Sequence, residues 1–255
     1  MESEQKAKSG YFWLFPVLKV LTGIISVLWC GYEYYIFWQY DKAIEKANGY
    51  IAKKDYGSAL KECDIALGYD DDDPAAILTK AQVLSNMNRY PDALQLVQPL
   101  TTQSKVTAHT LYDAAVYAYY SDSTQTAHSF ILRSLQIENS DAASWYLAGD
   151  IFSQLTNYDS AIVSYRNALR YKIGKPSNVY VALANSFDTK HQSDSAMIYY
   201  QKAITANPKN ANAYFQKGIA LKNADKIQDA IESFRIARTL GSDDAAEKLR
   251  QMNEN

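Results

Sequence analysis

The side chains best able to do chemistry in this sequence are few and scattered. Its three histidines, His109, His128 and His191, share no motif spacing. No serine or cysteine stands in a recognisable nucleophile setting, and there is neither a glycine-rich dinucleotide turn nor a phosphate-binding loop. Cys30 lies in an apolar run and Cys63 in a periodic segment, so the pair offers neither a disulfide framework nor a zinc site. The acidic run 70–73 lacks the alternation and the distal glutamate of a calcium loop. Placed just before Pro74, it reads as a solvated turn with a helix N-cap role. These residues predict a protein that is not an enzyme, with no catalytic residue, cofactor or metal and no small-molecule substrate.

Charge narrows the partners further. With 26 basic and 28 acidic side chains the formal net charge is -2, which leaves no basic surplus for phosphate backbones, so nucleic acid is not expected. A composition of 47% hydrophobic and 21% charged residues is that of a folded chain. Tyrosine is abundant, at 21 residues, and an amphipathic ring of this kind fills the space between helices while its hydroxyl finds a polar partner.

The elements that must position these groups come in two kinds. After a polar tail, 1–10, the segment 11–38 contains only two charged side chains, Lys19 and Glu33, in 28 residues. As a helix it would be ~42 Å long, enough to cross a hydrocarbon core of ~30 Å. Lys19 and Glu33 would lie ~21 Å apart along it, each able to snorkel to an opposite interface, with Tyr11, Trp13, Tyr34, Tyr35 and Trp38 as aromatic belts. The expectation is a retained single-pass transmembrane helix over 11–38 in contact with the lipid bilayer, bent or started by Pro16. Alternatively, Lys19 and Glu33 pair with helices of a membrane partner. The nearby lysines lean towards an N-terminus inside and an extracytoplasmic remainder.

The second kind of element is a repeat. Ala59, Ala93, Ala127, Ala161, Ala196 and Ala230 are separated by 34, 34, 34, 35 and 34 residues, with the extra residue near Gly174 and Lys175. The most complete unit, 142–175, places Trp145, Ala148, Gly149, Phe152, Ala161, Tyr165 and Ala168 at positions 4, 7, 8, 11, 20, 24 and 27. This pattern resembles the tetratricopeptide repeat (TPR). The resemblance implies an all-α fold: a right-handed α-solenoid of about six helix-turn-helix units over 40–73, 74–107, 108–141, 142–175, 177–210 and 211–244, closed by a capping helix in 245–255. Position 8 is small in all six units, while position 24 carries Cys63, Val97, Ile131, Tyr165, Tyr200 and Phe234 as knobs between helices. Pro99, at position 26 of the second unit, should end its helix early or kink it.

The resemblance also implies a concave groove lined by positions 2, 5, 9 and 12 of each first helix. Carried onto this chain, that surface includes Asn48, Gln82, Tyr112, Val116, Tyr119, Tyr146, Asp150, Asn185, Asp188, Phe215 and Lys222. Amides suit a peptide backbone and rings suit its side chains, so a protein partner or peptide segment is the expected ligand. The basic clamp by which some relatives hold acidic chaperone tails is absent, since position 5 is Ile44, Leu78, Tyr112, Tyr146, Val181 and Phe215. Together these features predict a membrane-anchored scaffold or adaptor, an accessory or assembly subunit of a membrane complex. The alternative is an accessory chaperone that holds newly translocated or unfolded chains.

Overall fold

The computed structural model describes residues 14–253, with side chains at Ser26 and from Leu28 to Met252. Among the described residues there are thirteen α-helices, one 3-10 helix and no strand. They fall into two compact units, one ending at Leu96 and the other beginning at Val97.

The first unit is built on α1 (Leu14–Ala52), α2 (Tyr56–Tyr69), α3 (Pro74–Asn86) and nearly all of α4 (Tyr90–Val97). The 39 residues of α1 run without a break from the apolar segment into the first helix of the first repeat, a length of ~58 Å. Pro16 lies in its first described turn, where a missing N–H costs no intrahelical bond. The tail 1–10 and residues 11–13 lie outside the described residues. No described helix is long and apolar enough to cross a membrane, and the side chains of 14–25, Lys19 among them, are not described. Beyond Tyr40 small residues let the helices approach: Ala47, Ala59, Cys63 and Val83 form one buried cluster and Ala43, Ala66 and Ala76 another. Asp73 caps α3 by accepting from the Ala76 N–H at 2.8 Å, and Tyr40 donates its hydroxyl to the same carboxylate. The acidic run therefore does hold a helix cap, at its last member.

The second unit contains the 3-10 helix Gln98–Thr102, α5 (Ala108–Tyr120), α6 (Thr124–Ile137), α7 (Ala142–Gln154), α8 (Tyr158–Arg170), α9 (Pro176–Thr189), α10 (Ser193–Ala206), α11 (Ala211–Asn223), α12 (Ile227–Thr239) and α13 (Asp243–Asn253). The break expected at Pro99 is present: α4 stops at Val97 and the chain tightens into the 3-10 turn. Arg133 Nη2 donates to the Thr101 carbonyl at 2.6 Å and satisfies an acceptor that this ending leaves behind. Thr107, Asp141, Asn157 and Asn210 cap α5, α7, α8 and α11 through their side-chain oxygens. Polar contacts also close the fifth repeat on itself, with Ser177 Oγ on the Ala203 carbonyl and Asn210 Nδ2 on Ser177 Oγ, both at 2.8 Å. Last in the chain, α13 buries Ala245 and Leu249 against Ala230, Phe234 and Ala237.

Each repeat turns between its two helices through one left-handed residue at position 15: Lys54, Asn88, Asp122, Thr156, His191 and Asp225, with φ of 55 to 61°. In every case the next N–H reaches back five residues, as Asn157 does to Phe152 at 2.8 Å and Lys226 to Leu221 at 2.9 Å. This is the Schellman ending of a helix, made here without glycine.

Candidate partner-binding groove

The knobs at position 24 set the geometry of the groove. In the fourth repeat the Tyr165 ring fills the space over Gly149, where an added Cβ would collide with it. In the sixth, a Cβ on Gly218 would come within 2.6 Å of Phe234 Cε1. In these two repeats glycine at position 8 makes room for the aromatic knob, whereas the fifth repeat pairs Tyr200 with Ala184. The third repeat, whose knob is Ile131, has Ala115 at this position.

The tyrosine knobs do more than fill space. Tyr165 donates its hydroxyl to Asp150 Oδ1 at 2.8 Å and lies 3.2 Å from Ser153 Oγ. One repeat on, Tyr200 donates to Asn185 Oδ1 at 2.7 Å. In both repeats the knob at position 24 reaches through the hairpin to the residue at position 9. Phe234, which has no hydroxyl, shares its repeat with the apolar Ile219 at that position.

These pairs open onto a cavity of about 530 Å³ lined by residues of α7, α8, α9 and α11, including Tyr146, Asp150, Tyr165, Asn178, Asn185 and Asn212. Tyr146 packs with its ring centroid 5.8 Å from that of Tyr165. Burial pushes the Asp150 carboxyl up to about 6, opposed by the Tyr165 hydrogen bond. Burial, then the Asp150 charge, raises Tyr119 and takes Tyr146 to about 12. Tyr119 and Tyr146 therefore feel the same carboxylate, and Tyr112 feels it more weakly than Asp141 and Asp113.

Of the residues expected in the groove, Tyr146, Asp150 and Asn185 meet in this cavity. Tyr119 is half-buried and set edge-on to Tyr120, with centroids 5.3 Å apart. Tyr112 lines a separate cavity of about 300 Å³ with His109, Glu138 and Asp141. Val116 is half-buried. Asp188 is half-buried too, with its carboxyl raised by burial and lowered by nearby His191. Phe215 packs on Phe234 at 5.8 Å, and Lys222 is exposed. Asn48 and Gln82 are exposed in the first unit, on α1 and α3. Glu33, exposed on α1, accepts from Trp29 Nε1 at 2.5 Å. The Lys19 side chain lies outside the described ones.

Sequence reading missed Tyr165 and Tyr158 as cavity residues, and did not single out Ser153, Asn178 and Asn212 although they stand at groove positions 12, 2 and 2. For Tyr165 a signal existed: tyrosine at position 24 coincides with a polar acceptor at position 9, and phenylalanine with isoleucine.

Comparison with known proteins agrees with this architecture. Three family profiles, all described as tetratricopeptide repeat, match residues 50–109, residues 142–172 and 177–210, and residues 199–232. Together they span more than half of the chain. Among solved structures, MamA is 18% identical with a TM-score of 0.61, covering 68% of this chain and 94% of its own. The pilF protein of Pseudomonas aeruginosa is 17% identical with a TM-score of 0.67, over 84% and 97% of the two chains. YrrB, described as a TPR protein with an unusual peptide-binding site, is 15% identical with a TM-score of 0.59, over 76% and 100%. At these identities the likeness is one of fold. No curated protein matches the sequence. The repeat period, the hairpins packed through small residues and the matched profiles lead to one assignment: the chain belongs to the tetratricopeptide repeat family.

Proposed function

We propose that this protein is a membrane-anchored, non-enzymatic scaffold that holds a segment of a protein partner in the cavity of its second unit. The observation that carries the reading is the lining of that cavity, where Tyr146, Asp150, Asn178, Asn185 and Asn212 face one space. Amides can bond an extended backbone while rings and a carboxylate select its side chains. YrrB, similar in fold, is described as having a peptide-binding site, which is consistent with such use. The membrane part rests on the apolar segment 11–38 and on the exposed run of α1, where Leu28, Trp29, Tyr32, Tyr34, Phe37 and Trp38 are 46 to 73% exposed. Aromatic side chains in this density suit a membrane interface, with the repeats on the extracytoplasmic side.

Carbonate extraction followed by mild-detergent purification and mass spectrometry tests both parts. The protein should stay in the membrane fraction and bring down one partner in fixed ratio, and Tyr146→Ala with Asn185→Ala should release it. Release by carbonate as a free monomer would contradict the proposal. A mixed population of unfolded clients would indicate the accessory chaperone instead.

A further inference from the structure

Asp150 brings a carboxylate where its structural job requires only an acceptor. The fold needs only a hydrogen-bond acceptor at position 9 to receive a tyrosine knob, and in the next repeat Asn185 does this for Tyr200. A carboxylate there carries a larger desolvation cost than an amide. Among the described residues no lysine, arginine or histidine pairs with Asp150, and the one hydrogen bond its carboxylate accepts comes from Tyr165. Beside it stand Tyr146 and Tyr165, whose ring centroids are 5.8 Å apart, with Tyr119 close enough for its hydroxyl to sense the charge. Ring faces and a carboxylate with spare acceptor capacity are the two groups that attract an organic cation. Asn178, Asn185 and Asn212 flank them along the same cavity.

We propose that the pocket formed by Tyr146, Asp150 and Tyr165 receives a lysine or arginine side chain of an extended peptide, whose backbone runs along the asparagines of α9 and α11. This rests on the reading of the second unit as a segment-binding surface and adds the chemistry of the bound side chain. The cavity, at about 530 Å³, is within the range of sites that enclose a side chain of that length. An acidic segment is excluded by the same carboxylate.

The test uses the full chain in mild detergent and capped, fluorescently labelled nine-residue peptides in a serine-alanine background, with arginine, lysine, citrulline or glutamate at the centre. The arginine and lysine peptides should bind about tenfold or more tighter than the citrulline peptide, ~1.4 kcal/mol or more, and the glutamate peptide weaker still. Asp150→Asn keeps an acceptor for Tyr165 and should bring arginine binding down to the citrulline level, with helix content unchanged. Equal binding of all four peptides would overturn the cation site while leaving the segment-binding surface standing. Persistence of the arginine preference in Asp150→Asn would also overturn it. Tight binding of free arginine amide, unaided by a peptide, would replace the peptide with a small amine. Absence of binding by every peptide at about 1 mM, the weak end of specific association, would overturn the inference, and the segment-binding surface would then stand or fall on the co-purified partner.

Discussion

Asp150 and Asn185 hold the same position in consecutive repeats and accept the same bond, from Tyr165 and Tyr200, yet only one of them carries a charge. The folded chain favours the protonated form of Asp150, whose carboxyl is raised to about 6 by burial. Between about pH 4, the range of an unperturbed aspartate, and pH 6 the folded state therefore binds more protons than the unfolded one, so stability falls as pH rises through that window. The groups that feel the Asp150 charge are Tyr112, Tyr119, Tyr146 and Tyr165, none of them cationic. Asp113 and Asp188, also raised by burial, act in the same direction. Urea titrations from pH 4 to pH 7 should show Asp150→Asn losing most of this slope and gaining roughly 2–3 kcal/mol at pH 7. An unchanged slope in the variant would place the pH dependence elsewhere. Gly218 makes a separate residue-scale prediction. Alanine there drives a methyl into the Phe234 ring and should cost about 1–3 kcal/mol in chemical denaturation, with much of that recovered when Phe234 is also made isoleucine, as at the Ala115 and Ile131 pair.

At the scale of the elements, the turns carry strain that the packing overrides. A left-handed backbone costs a non-glycine residue about 1–2 kcal/mol, and a β-branched one is the least suited to it. Thr156 sits at φ 58°, so Thr156→Gly should stabilise the second unit by about 1 kcal/mol after allowing for glycine's greater unfolded freedom, seen as a rise in melting temperature. Arg133→Ala should cost roughly 1.5–3 kcal/mol by leaving the Thr101 carbonyl without its charged donor. The repeat boundaries were legible in the sequence because close helix approach admits few residue types, so alanine recurs at position 20 in all six units. The turns were not legible. Their left-handed residues are Lys54, Asn88, Asp122, Thr156, His191 and Asp225, held by the five-residue backbone bond and by packing on either side, and only asparagine and aspartate among them advertise that conformation. The candidate site was half legible. Position rules pointed to Tyr146, Asp150 and Asn185, but they assigned Tyr165 to packing alone, because it stands on the second helix and its hydroxyl reaches Asp150 across the hairpin.

At the scale of the molecule, the family and the helical architecture are established, and the proposed role joins a groove in one unit to an apolar helix in the other. Unbroken passage of α1 from the apolar segment into the first repeat means that a partner gripping the apolar part of α1 holds the same helix that opens the first repeat. If Lys19 and Glu33 pair with helices of that partner, Glu33→Gln should dissociate it in mild detergent while leaving carbonate resistance intact. If the two side chains snorkel, the complex should tolerate the change. The central claim is that the second-unit cavity holds a protein segment. Its most direct test is site-specific photo-crosslinking in intact membranes, with a photoreactive amino acid placed at Asn212, on the cavity wall, or at Val163, exposed on α8 and outside it. One discrete adduct from position 212, absent from position 163 and lost in Asp150→Asn, is the predicted result. No adduct at 212, or the same adducts from both positions, would contradict the account.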